Sequence, residues 1–184
     1  MELLKQTQIN KKTLRPEGSR KKDLFPKERH PHLAKYYKEQ WSFIADLHAR
    51  DNISYQMQYI EFLTSLYNDY DLYLTAESLL AKTMMIEIAS VVEAAIKDIM
   101  AQWAKKANIN ISSKIFDELI DMARDSNMID DNMQKLFHEL RIMRNAVHLT
   151  GIQARECYLY KIEAVNEYLK ALDKFRLETS RIDY

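Results

Sequence analysis

Apolar residues recur at three- and four-residue steps along most of the chain, the spacing of one face of an α-helix. The pattern, broken at its turn residues, predicts helices over 33–49, 53–73, 76–106, 114–124, 131–149 and 154–178. In the first, Tyr36, Tyr37, Trp41, Ile44, Ala45 and His48 share a stripe. Trp41 reads as a packing anchor and His48 as a cap or surface group, with Asp51-Asn52 as the turn that follows. The second carries Met57, Ile60, Leu63 and Leu66 and is rich in tyrosine, which points to core or interface packing. The longest, with Thr75 as its expected N-cap, presents Ile88, Val92, Ala95, Ile99 and Trp103. Glu87 and Glu93 interrupt its apolar run, and either can reach an arginine of a neighbouring helix. Ser112 or Ser113 is the expected cap of the fourth helix, and Asp125-Ser126-Asn127 the break after it. The last carries Cys157, Tyr160, Ala164, Tyr168, Ala171, Leu172 and Phe175 and is expected to close the bundle. The fold class is therefore all-α, a compact bundle of about five to six helices.

The helix over 131–149 is distinctive. Leu136, Leu140, Met143 and Val147 fall within roughly 60° of one another at about 100° per residue. Asp130 or Asp131 is placed to cap it, and Gly151 follows where a left-handed residue is wanted. Arg144, His148, Arg141 and Asn145 make a second, polar stripe about a right angle from the first. Imidazole exchanges protons near neutral pH. Guanidinium grips phosphate with paired hydrogen bonds. Asparagine can orient either. Such a set suits phosphodiester chemistry at a ribose 2′-hydroxyl. The plainer reading is a solvated flank, or pairing with a carboxylate such as Glu139 or Glu156.

The string Leu-Arg-Ile-Met-Arg-Asn-Ala-Val-His-Leu over 140–149, late in an all-helical chain, resembles the signature helix of the HEPN superfamily. The resemblance implies a dimeric helical bundle that cleaves RNA without a metal or other cofactor, using Arg and His from two subunits. It maps the family histidine onto His148 and the Arg-polar pair onto Arg144-Asn145. The family places four to six residues between Arg and His. Three separate Arg144 from His148; six separate Arg141 from His148, but Ile142 is then not polar. Either arginine can thus be the functional one. The resemblance covers residues 52–180 and is carried by the signature helix. It implies RNA as substrate, a toxin or defence role, and a cognate antitoxin as a further partner. A second expectation is a non-catalytic dimeric module of the same fold that binds nucleic acid or a protein. A third is a bundle outside the family.

Composition changes this picture little, and charge changes it more. Two glycines and three prolines in 184 residues, the prolines all before residue 32, argue against a β fold. One cysteine excludes an internal disulfide framework, fits a reducing compartment, and lacks the spacing of a zinc site, so no metal is expected. There is no glycine-rich phosphate loop, no dinucleotide turn and no His-Glu-x-x-His. No apolar run is long enough for a membrane span, and the first residues are too polar for a signal peptide, so a cytoplasmic protein is expected. Net charge is zero, but residues 1–38 carry eleven Lys and Arg against four Asp and Glu, and the remainder carries sixteen against twenty-three. Residues 1–32 therefore read as an extended basic arm ahead of the 33–184 bundle. Lys11, Lys12, Arg20, Lys21 and Lys22 are its candidate nucleic-acid contacts; a solvated tail on an acidic body is the other reading.

Overall fold

The computed structural model describes residues 31–70, 72–145 and 160–182, all within one unit spanning residues 31–184. The expected arm contacts Lys11, Lys12, Arg20, Lys21 and Lys22, together with His148, Gly151 and Cys157, lie outside the described residues. Among the described residues there are six helices and no strand: α1 Ala34–Gln40, α2 Leu47–Asp69, α3 Leu74–Ala107, α4 Phe116–Asp125, α5 Asp131–Asn145 and α6 Ile162–Thr179. None is long and apolar enough to cross a membrane.

The long α3 is the centre. It packs against α2, α4, α5 and α6, and Ala81, Met84, Ile88, Val92, Ala95 and Ile99 are buried along it. Ala89 is also fully buried along it. Helices α2 and α3 form an antiparallel hairpin tied at both ends. At one end the Tyr67 hydroxyl donates to Glu77 at 3.3 Å. At the other, the Asp98 carboxylate accepts from the backbone N–H of Ala45 (2.9 Å) and Asp46 (2.8 Å).

That second tie corrects the expected first helix. The chain leaves helical geometry after Gln40, turns through residues 41–46, and restarts at Leu47. Trp41 and Ile44 are both fully buried in this turn. Asp46 caps the new helix, accepting from His48 N at 2.8 Å and Ala49 N at 3.1 Å. Asp51-Asn52, read as a turn, lies inside α2. The tertiary bonds of Asp98 and the burial of Trp41 and Ile44 outweigh local turn preference. The chain is fastened to α2 as early as His32, whose backbone N–H donates to Glu61 at 2.6 Å.

Other helix ends move by smaller amounts. Thr75 lies within α3, whose N-cap is Tyr73 without a side-chain bond. Ile115 precedes α4, and the Glu118 carboxylate accepts its N–H at 3.0 Å, in place of a serine cap. Asp130 caps α5, accepting from Met133 N at 2.7 Å. The last helix starts at Ile162, because Lys161 is extended and Tyr160 is buried with Lys82 Nζ 5.5 Å from its ring. Asn108 and Asn127 hold left-handed backbone after α3 and α4, a place often taken by glycine.

On α5 the buried residues are Met133, Phe137 and Leu140, with Leu136 and Met143 only partly buried. The core face is thus rotated roughly 60° from the expected stripe, toward the arginines. Phe137 is fully buried and meets Phe175 of α6 edge to face at 5.6 Å. Removing such a ring costs about 3–5 kcal/mol, so this contact fixes the rotation of α5.

Candidate functional site

The rotation of α5 turns residues of one polar stripe toward two different neighbouring helices. Arg144 comes nearly into line with the packed face and turns toward α3. Its Nη1 donates to Glu93 Oε2. The other oxygen of Glu93 accepts from Lys97 Nζ at 2.6 Å, one turn further along α3. Of the two carboxylates that interrupt the apolar run of α3, Glu93 therefore pairs with an arginine of α5, as the sequence allowed.

Glu87 is different. It is partly buried and has no hydrogen-bond or ion-pair partner among the described residues. Burial alone pushes its carboxyl above the ordinary carboxylate range.

Arg144, Glu93 and Lys97 line a cleft of about 550 Å³. Its other walls come from His48 and Asn52 on α2 and from Ser90 and Asp98 on α3, with Ala49, Ala94 and Ala101 leaving the space open. Asp98 and Asp46 are consumed locally. Asp98 accepts two backbone N–H groups and the Gln102 amide at 2.6 Å; Asp46 caps α2. Glu93 is only 15 % exposed yet serves two cations, so the triad carries one excess positive charge.

Arg141 faces the other way. Its Nε lies 2.9 Å from Asp117 Oδ1 of α4, and the same oxygen lies 3.0 Å from His138 Nδ1. The Arg141 N–H is not directed at that oxygen: its buried Nε makes no hydrogen bond among the described groups, so the attraction is Coulombic. His138 Nε2 is 2.9 Å from Asp121, which also accepts from Gln134 at 2.7 Å. Hydrogen bonds from Gln134 and then His138 hold the Asp121 carboxyl below its usual range. This network seams α4 to α5. Asn145, at the end of α5, is exposed.

Of the four expected site residues, then, the structure places Arg144 in a cleft and Arg141 in an interhelical seam. Asn145 sits on the surface, and His148 lies outside the described residues. Lys97 is a cleft residue that the sequence did not single out, and His48, read there as a cap or surface group, lines the cleft as well. Lys97 had a visible signal, the i, i+4 pairing with Glu93 inside an apolar run. His48 had none once the first helix was drawn through it. Among the described residues no group of three or more His, Cys, Asp or Glu side chains is arranged to hold a metal ion.

Among the described residues the fold is a six-helix bundle, with Lys97 and Arg144 on the wall of an open groove. Compared with known proteins, the chain matches no family model, no curated protein and no solved structure.

Proposed function

We propose that the protein is a metal-independent endoribonuclease of HEPN type, working as a homodimer whose subunits together complete the site. The observation that carries the reading is Arg144. It lies in the last turn of α5, which carries residues 140–145 of the HEPN-like string, and it lines a cleft with a second cation beside it.

In this reading the 2′-hydroxyl oxygen attacks the adjacent phosphorus and the 5′-oxygen leaves. His148 takes the 2′ proton, and a protonated imidazole supplies one to the leaving oxygen. Arg144 stabilises charge on the non-bridging oxygens as the phosphorus becomes pentacoordinate. Asn145 orients its neighbours. The products are a 2′,3′-cyclic phosphate and a free 5′-hydroxyl. The basic residues Lys11, Lys12, Arg20, Lys21 and Lys22 add affinity through phosphate contacts, which is a binding role separate from the chemistry. The same resemblance supports a toxin or defence role with a cognate antitoxin.

The test is cleavage of single-stranded RNA with excess chelator present. Wild type should yield cyclic-phosphate ends. His148→Ala should lose at least about a hundredfold in rate, the usual contribution of a general acid-base group. A wild-type protein that sediments as a dimer and cuts no RNA would end the enzyme reading and leave a binding module of the same fold.

A further inference from the structure

The two cations that line the cleft have bonding capacity left over. A guanidinium offers five N–H donors and an ammonium three. Glu93 takes one from Arg144 and one from Lys97, using a different oxygen for each. It is the more buried partner, 15 % exposed against 38 % for Arg144 and 52 % for Lys97. The carboxylate thus sits behind the two cations and fixes both, while their remaining donors stay toward the open side. Asp46 and Asp98, the other carboxylates of the cleft, make no ion pair with either cation among the described residues. Asp98 is held by Ala45 N, Asp46 N and Gln102, and Asp46 by the first turn of α2.

We propose that Lys97 and Arg144 together form a phosphate subsite for a single-stranded polynucleotide, with Glu93 as the positioning residue for both. The inference rests on the reading of the protein as one that acts on RNA, and it adds a residue, Lys97, that the HEPN-like string does not contain. His48, Asn52 and Ser90 line the same cleft and offer polar contacts to the rest of a nucleotide. A space of about 550 Å³ falls within the usual range for sites that enclose a small ligand.

The experiment uses the full chain and a short oligoribonucleotide that is 2′-O-methylated throughout. This probe cannot undergo 2′-hydroxyl attack, so binding is read apart from cleavage. Fluorescence anisotropy is recorded over a range of salt concentrations, with a thermal melt of every variant. Lys97→Ala and Arg144→Ala should each weaken binding about tenfold and each lower the salt slope by about one counterion. Lys97→Arg should keep most of the affinity. Lys170→Ala, on α6 and outside this cleft, should change neither the affinity nor the slope by as much.

Glu93→Gln separates positioning from simple charge. It removes a negative charge from the cleft, so charge alone predicts tighter binding, whereas loss of positioning predicts weaker binding. The proposal expects weaker binding; tighter binding would overturn the role given to Glu93. Wild-type affinity and slope retained by both alanine variants, or no salt-dependent binding by wild type, would overturn the subsite. A protein that binds this probe through Lys97 and Arg144 but cuts no native RNA keeps the subsite and loses the ribonuclease.

Discussion

Arg141 and Arg144 sit one turn apart on α5 and belong to two different structures. Arg141 shares Asp117 with His138, and Asp117 and Asp121 together with Gln134, His138 and Arg141 seam α4 to α5. Arg144 shares Glu93 with Lys97 at the edge of a cleft. Both arginines meet a carboxylate that also serves a second basic side chain. The difference is what lies beyond the pair. Around Arg141 lies another helix, which fits a structural role. Around Arg144 is open space with donors to spare, which fits a binding role. Chemical type and helical spacing do not distinguish the two; the direction of the neighbouring helix does.

The comparison can be strained from either side. The largest effect on stability is expected in the seam. Asp117→Ala leaves Arg141 and His138 facing each other without their shared carboxylate, and should cost about 1 kcal/mol. Asp117 is itself 39 % exposed, which keeps the figure near that of a partly screened network. A denaturant titration checks this, and RNA cleavage should be unchanged. A large loss of cleavage with little loss of stability would place the functional site on the wrong side of α5.

A smaller effect is expected on the α3 side. Glu87 is partly buried without a partner among the described residues, and burial raises its folded pKa. A raised carboxyl pKa means that the folded state binds the proton more tightly. The contribution to stability is then complete below the ordinary carboxylate range and falls as pH rises through the folded pKa. Glu87→Gln should therefore stabilise the protein at pH 8 and make less difference at pH 4. With partial exposure the gain is expected to stay below about 1 kcal/mol. Thermal melts at the two pH values test it; an equal effect at both would show that Glu87 is not held out of water.

Much of the fold was legible because α3 and α6 follow their helical stripes closely. Ile88, Val92, Ala95 and Ile99 are all buried, as are Tyr168, Ala171, Leu172 and Phe175. The boundary between α1 and α2 was not legible. It depends on Asp98, more than fifty residues away, binding the backbone at Ala45 and Asp46. No local window contains that bond. Of the candidate site, the pairing of an α5 arginine with a carboxylate of α3 was legible. The division between Arg141 and Arg144 was not. It follows from Phe137, whose burial against Phe175 turns the helix away from Leu136 and Met143, which stay only partly buried. An aromatic outside the expected stripe gave no sign of how far it would rotate the rest.

In the proposed ribonuclease Arg144, not Arg141, is the arginine that meets the phosphate. The most direct test of this is single-turnover cleavage of one RNA, with chelator, by wild type, Arg144→Ala and Arg141→Ala side by side. The account predicts that Arg144→Ala is slower by at least about a hundredfold, as for loss of a transition-state charge donor. Arg141→Ala should stay close to wild type in rate while melting at a lower temperature. Equal losses in the two variants, or the larger loss in Arg141→Ala, would contradict it.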